Sequence, residues 1–111
     1  MLKGHLDMIV LAALAAAGSA HGYAVIVEIK RRSGGAFDLP EGTIYPALHR
    51  LEQASLLSSR WTIADSGRRR RVYTLTKAGH RALAERRAVW KQFSDAIGGL
   101  LAGARPRETP A

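Results

Sequence analysis

The stretch EGTIYPALHRLEQA, residues 41–54, decides the fold of this 111-residue chain. Ile44, Leu48 and Leu51 recur at helical intervals, so they share the apolar face of a helix that packs on a core. Pro46 fits a helix only near its start, where backbone N–H groups lack helical partners. The opposite face is polar and carries Thr43, Tyr45, His49, Arg50 and Gln53. The stretch therefore predicts a helix with a buried apolar side and an outer side that can form many hydrogen bonds.

Two further helices are predicted upstream of this stretch. Residues 2–17 are rich in alanine, which favours helix, and are apolar on both sides. One side can face the domain core, and the other side then needs a second covering, such as another subunit. Another helix is predicted over residues 22–33. It carries three cations in its last turn, where the helix dipole favours them, and Gly34-Gly35 ends it.

The beginning of the chain also resembles a secretory signal peptide, because a lysine precedes an apolar run from Met8 to Ala17. That run is too short to span a membrane, and Asp7 interrupts its entry. A helix of the folded domain accounts for the segment better. We therefore expect a cytoplasmic protein with no membrane partner.

From Leu57 onward the pattern changes from helix to strand. Residues 61–63 and 71–75 predict two strands, and Asp65-Ser66-Gly67 predicts the turn between them. The resulting hairpin has Gly67 at its tip, followed by four arginines, residues 68–71.

A long amphipathic helix is predicted over residues 77–101. Its apolar positions repeat every seven residues, with a companion row three residues further on, as in a short coiled coil. They are Leu83, Trp90 and Ile97, with Phe93 and Leu100. Because no later element can cover this stripe, it predicts packing between subunits. Residues 102–111 contain two prolines and two arginines and predict a disordered tail.

Charge and element order together predict a nucleic-acid-binding fold. The chain has 17 Lys and Arg against 9 Asp and Glu, a formal charge of +8, and no cysteine. A domain this basic commonly binds a polyanion, and the lack of cysteine excludes disulfides and thiolate zinc sites. The order of elements predicts a mostly helical α+β fold: a winged helix-turn-helix of three helices and a two-stranded wing (1–76), a dimerisation helix (77–101) and the disordered tail (102–111). In such a fold the third helix enters the major groove of double-stranded DNA and the hairpin reaches the flanking backbone.

Several short motifs resemble, in order and spacing, those of the PadR-like transcriptional regulators. The most specific is GTIYPAL at residues 42–48. The others are HGY at 21–23, RLE at 50–52, GRRR at 67–70, and YTLT at 73–76 with Gly79. The resemblance covers roughly residues 2–101. It implies a homodimer held by the last helix and the partner's first helix, bound to a two-fold related operator, usually as a repressor.

Two positions depart from the family's pattern. Ser55 stands where the family often has glycine after the third helix, and a left-handed turn there would strain a non-glycine residue. Val72-Tyr73 stands where the family often has an aromatic pair. We expect the same fold despite both departures.

The candidate DNA contacts lie on the third helix, in the arginine run and at the start of the chain. They are Lys3, Thr43, Tyr45, His49, Arg50, Gln53, Arg68, Arg69, Arg70 and Arg71. Arg50 has the chemistry for paired hydrogen bonds to guanine, and the resemblance makes Tyr45 a phosphate or base-edge contact. The alternatives are a solvated basic loop for the arginine run and a structural brace for Tyr45. His21 is expected near the N-cap of the second helix, Tyr23 in the core, and Trp61 in wing or core packing.

The candidate dimer interface joins the stripe of the last helix to the outer side of the first. It consists of Met8, Leu11, Leu83, Trp90, Phe93, Ile97 and Leu100. Trp90 has two interpretations. It packs in the seam between subunits, or it contacts a flat aromatic effector, as a tryptophan at the matching place does in drug-binding relatives.

No group of residues indicates an enzyme, a metal site or a cofactor. The four histidines stand at unrelated spacings, and the acidic residues form no motif with a base. Two alternatives to a sequence-specific regulator remain open. One is a nucleoid-type protein that binds DNA or RNA through charge alone. The other is a protein-interaction module that uses its last helix to bind a different partner.

Overall fold

The computed structural model describes residues 5–103. Four helices and three strands follow one another as α1 Leu6–Ala17, β1 Ser19–His21, α2 Gly22–Arg32, α3 Glu41–Gln53, β2 Leu57–Ile63, β3 Arg69–Leu75 and α4 Lys77–Gly103. The expected winged helix-turn-helix with a long last helix is confirmed. Ala102 and Gly103 belong to α4, and the rest of the predicted disordered tail lies outside the described residues, as does Lys3.

The sheet has three strands in the order β1-β3-β2, all antiparallel, so the expectation of a two-stranded wing was wrong. The added strand is β1, which pairs along β3 with Ala20 opposite Tyr73. Gly18, at φ +84°, turns the chain out of α1 and into this strand. Ala20 and Tyr73 are both buried, so β1 ties the base of the hairpin to the helical core.

The core lies between α1, α2, α3 and the base of the sheet. The predicted face of α3 is confirmed, because Ile44, Leu48 and Leu51 are all buried. From the other elements the largest contributions come from Val10, Leu11, Leu14, Val25 and Tyr73. α3 begins at Glu41, so Pro46 lies in its second turn. The carbonyl of Gly42, which Pro46 leaves without a helical donor, belongs to an exposed residue.

Three expectations about burial need correction. Leu11 is fully buried and Leu83 is 4% exposed, because both fill the core of their own protomer. Neither offers side-chain surface to a second subunit. Tyr23 was expected in the core, but it is 59% exposed, since α2 turns its first residues toward the wing rather than toward α1.

The start of α4 is anchored on the connection between α3 and β2. Thr76 donates a hydrogen bond from Oγ1 to the Ser55 carbonyl at 2.7 Å and accepts one from the Gly79 N–H at 3.0 Å. Its own N–H bonds to the Leu56 carbonyl at 3.1 Å. The predicted Thr76 cap is thus confirmed. Beyond Leu83 no described residue of α4 is buried, so this helix extends away from the domain.

Candidate nucleic-acid interface

A groove of about 610 Å³ lies between the outer face of α3 and the hairpin. Tyr45 and His49 contribute one wall, and the arginine run 68–71 contributes the other. Six of the predicted DNA contacts are therefore brought together in one concave surface. Thr43, Arg50 and Gln53 lie elsewhere on α3 and do not line it.

Tyr45 is held in this groove by its contact with Gly22 at the start of α2. A Cβ added at Gly22 would approach Tyr45 Cε1 to 2.4 Å, so the phenol ring lies directly on the glycine backbone. The side chain of Tyr45 is half-buried as a result. The contact fixes the ring against α2 while one side of the tyrosine still lines the groove.

The tip of the hairpin is a tight turn that leaves most of the arginine run in the strand. The Ala64 N–H bonds to the Arg68 carbonyl, and the Gly67 N–H bonds to the Ala64 carbonyl, both at 2.8 Å. Gly67 takes φ +85°, a conformation that favours glycine. The strand was expected to begin at Arg71, but it begins at Arg69, because the ladder continues to the pair of Arg69 with Ile63.

Strand geometry divides the arginines between the two faces of the sheet, since successive side chains point to opposite sides. Arg69 and Arg71 share the face of buried Tyr73, which is turned toward the helices, and Arg70 lies on the other face. Trp61 stands directly opposite Arg71 in the register. Its ring lies beneath both guanidinium groups, 4.7 Å from that of Arg69 and 5.5 Å from that of Arg71.

Arg71 also joins a polar network with α3. Its Nε donates to Ser59 Oγ at 2.7 Å, and its Nη2 lies 3.3 Å from Glu52 Oε1. Ser59 in turn donates to Glu52 Oε2 at 2.5 Å. Within residues 5–103, none of the other three arginines of the run has a carboxylate at ion-pair distance.

His21 closes the end of the groove next to α2. Its Nδ1 accepts a hydrogen bond from the Ala24 N–H at 3.3 Å, so it caps the helix as expected. Burial lowers the pKa of His21, and the positive charge of Arg70 lowers it further. The imidazole is therefore kept neutral, which is the state that can accept this bond.

Arg50 is held by a partner that lies far away in the sequence. Its Nη2 donates to a carboxylate oxygen of Asp7 at the start of α1, and the other oxygen of Asp7 lies 3.9 Å from Arg86 on α4. One carboxylate thus links α1 to both α3 and α4. This arrangement orients the Arg50 guanidinium toward α1 instead of the groove.

Sequence reasoning missed three groove residues: Tyr23, Glu41 and Trp61. For Trp61 a signal was present in the sequence. With the turn at Asp65-Ser66-Gly67, the hairpin register places this tryptophan opposite an arginine, which is a favourable cross-strand pair. Tyr23 and Glu41 become part of the groove only through the packing of α2 and α3, which no local pattern reveals.

The second notable surface is the stripe along α4. Trp90, Phe93, Ile97 and Leu100 are all exposed, and Met8 on α1 is half-buried. Trp90 packs edge-on against His5, with ring centroids 5.5 Å apart, and contacts Phe93 at 5.9 Å. The stripe leaves a continuous apolar face on a helix that extends beyond its own domain.

Two other kinds of site were sought in residues 5–103. No helix there is long and apolar enough to cross a membrane. No three His, Asp or Glu side chains in that range cluster closely enough to hold a metal ion.

The fold and the groove together define a winged-helix protein that combines a polar helix face with a basic hairpin. The family model of the transcriptional regulator PadR-like family matches residues 10–85. The chain belongs to this family, whose members are transcriptional regulators and not enzymes.

Individual relatives agree with this assignment. The transcriptional regulator Rv3488 of Mycobacterium tuberculosis is 42% identical over 86 residues, which are 77% of each chain. A PadR-like transcriptional regulator from Bacillus cereus superposes with a TM-score of 0.78 at 27% identity, over 91% of this chain and 95% of that one. Bacillus subtilis PadR, solved in complex with operator DNA, has the same fold, with a TM-score of 0.66 at 24% identity. That match covers 95% of this chain and 50% of the other.

Proposed function

We propose that this chain is a sequence-specific DNA-binding regulator in which α3 enters the major groove and the hairpin binds the flanking phosphates. The observation that carries the proposal is the groove, in which Tyr45 and His49 of α3 face the arginines of β3. A helix face with hydrogen-bonding side chains suits base edges, and a row of guanidinium groups suits phosphates. The Bacillus subtilis relative of the same fold was solved bound to operator DNA, which supports this docking.

We further propose that two chains form a homodimer through the stripe of α4. Trp90, Phe93, Ile97 and Leu100 are exposed along one helix, and Met8 extends the apolar surface onto α1. A symmetric pair of DNA-binding domains reads a two-fold related operator. Occupying such an operator hinders transcription, so we assign the chain as a repressor that acts on the chromosome in the cytoplasm.

The dimer is tested by mass measurement in solution. Ile97→Asp combined with Leu100→Asp places two charges in the stripe and should give monomers at micromolar concentration. Gln92→Asp, at an exposed position of α4 outside the stripe, is the matched control and should remain dimeric. A wild-type chain that is monomeric at micromolar concentration would overturn the proposed dimer.

The DNA contacts are tested by separating affinity from sequence preference. Replacing Arg68 and Arg70 by glutamine should weaken binding to every duplex and lower the salt dependence by about two phosphate contacts. His49→Ala and Tyr45→Ala should instead change the ranking of different duplexes, because these side chains face the bases. If both sets of variants lower affinity uniformly, the division into helix reader and phosphate clamp is wrong.

An aromatic effector at Trp90 is the remaining part of the proposal. Trp90 is 46% exposed, and its ring lies between His5 and Phe93, so a flat molecule can stack on its open side. Bound there, the molecule would change the spacing of the two α4 helices and with it the angle between the DNA-binding domains. Titration with planar aromatic compounds should quench Trp90 and shift operator affinity together. If neither quantity moves, Trp90 serves dimer packing alone.

A further inference from the structure

The four arginines of the hairpin do not form one uniform phosphate clamp. We infer that Glu52 of α3 withdraws Arg71 from DNA contact and uses it as a positioning residue, which through Trp61 holds Arg69 ready for a phosphate. The inference rests on the DNA binding proposed above and assigns separate roles within that surface.

The first link is the ion pair between α3 and the hairpin. Glu52 accepts from Ser59 at 2.5 Å and lies 3.3 Å from Arg71, whose Nε also donates to Ser59. Three side chains from α3, β2 and β3 thus form a closed network. Because Glu52 follows Leu51, which is buried in the core, the carboxylate is fixed relative to the domain. The network therefore sets the position of the hairpin relative to α3.

The second link is the indole of Trp61. Arg71 lies over this ring at 5.5 Å and Arg69 over the same ring at 4.7 Å. A guanidinium stacked on an indole keeps its N–H groups at the edge, where they still reach an acceptor. Trp61 is 55% exposed, so the stacked Arg69 stays accessible on the groove side. Stacking reduces the side-chain freedom that Arg69 would otherwise lose on binding a phosphate.

Charge separates the two arginines. Arg71 has the carboxylate of Glu52 as its counter-charge, whereas Arg69 has no carboxylate at ion-pair distance within residues 5–103. Salt dependence of DNA binding counts the phosphates that protein cations neutralise. Arg69 should therefore contribute to it, and Arg71 should not.

The first test measures the slope of log Kd against log salt for a random-sequence duplex, since phosphate contacts do not depend on sequence. Arg69→Gln should make the slope shallower by about one unit. Arg71→Gln alone should weaken binding, because it leaves Glu52 unpaired beside the DNA. The double variant Glu52→Gln/Arg71→Gln should regain the wild-type slope. If the double variant instead loses one unit, as Arg69→Gln does, Arg71 binds a phosphate and the inference is overturned.

A matched control checks that the slope reports contacts and not total charge. Arg60 is an exposed arginine on β2 and lies on the face of the sheet opposite Trp61. Arg60→Gln removes the same charge and should leave the slope unchanged. Thermal melts of every variant establish that each is folded.

The second test uses the free protein and follows the indole N–H resonance of Trp61, assigned with Trp61→Phe. Glu52→Gln should shift this resonance, although Glu52 acts on the indole only through Arg71. Ser58→Ala, on the opposite face of the same strand, should leave it in place. An unmoved indole in Glu52→Gln would overturn the positioning role. A wild-type chain that binds no duplex, with the shift present, would instead overturn the proposed function and the phosphate role of Arg69.

Discussion

The phenol ring of Tyr45 lies on the backbone of Gly22, where a Cβ would come within 2.4 Å of Tyr45 Cε1. Gly22→Ala should therefore displace the ring from the groove wall. Strain of this kind costs about 1–3 kcal/mol in a packed site. We expect the variant to lose both free energy of unfolding and affinity for DNA, measured by urea denaturation and by fluorescence anisotropy.

The matched control for this variant is Gly42→Ala. A Cβ at Gly42 meets no heavy atom within 4 Å, and the position is in α3. Alanine there should raise the free energy of unfolding by about 0.5–1 kcal/mol, because it favours helix over glycine. Equal effects of the two substitutions on stability would contradict the role given to the Gly22–Tyr45 contact.

A second prediction concerns Gly79, where α4 meets the connection before β2. A Cβ there would lie 2.1 Å from the Leu56 carbonyl oxygen, and a backbone atom cannot move aside cheaply. Gly79→Ala should lower the free energy of unfolding by about 1–3 kcal/mol. Gly98→Ala, in the same helix with open space around it, should instead be stabilising. The pair is compared by thermal melting, and a neutral Gly79→Ala would show that α4 is not seated on Leu56.

The third prediction concerns Ser55, which takes φ +63° after α3. This is the left-handed turn at which the family often has glycine, and the conformation costs a non-glycine residue about 1–2 kcal/mol. Ser55→Gly should therefore raise the midpoint of denaturation. Ser58→Gly, in the middle region of strand β2, should lower it, because glycine weakens a strand. The same sign for both variants would count against strain at Ser55.

The fourth prediction is a pH dependence from His21. Burial and Arg70 lower the pKa of His21 from 6.5 in the folded protein, so the unfolded chain binds the proton more tightly. The stabilising contribution is complete above pH 6.5 and declines as the pH falls from there through the folded pKa. His21→Asn keeps an N-cap acceptor that does not titrate, and should remove this acid-side decline from urea denaturation curves. His80→Asn, an exposed site on α4, should retain it.

Local sequence patterns predicted the helices, the hairpin and most of the groove. The apolar spacing of Ile44, Leu48 and Leu51 fixed which face of α3 is buried, and the opposite face followed from it. Turn residues located the hairpin and brought the arginine run opposite α3. These features depend on residues that are close together in the chain, so a single sequence reveals them.

The features that escaped prediction depend on long-range packing. β1 has only three residues and no alternating pattern, and it exists because Ala20 fits beside Tyr73 across the sheet. The pair of Arg50 with Asp7 joins positions 43 residues apart. Leu11 was assigned to a dimer surface because α1 is apolar all round, so its sequence does not show which side the core takes.

The measurement that tests the central claim most directly is fluorescence anisotropy at near-physiological salt. The labelled duplex comes from the region upstream of the protein's own gene, and a scrambled duplex and an RNA of equal length are the comparisons. A sequence-specific regulator should prefer the upstream duplex by about a thousandfold or more. Equal affinity for all three probes would contradict the proposal and would favour a basic protein that binds nucleic acid through charge alone.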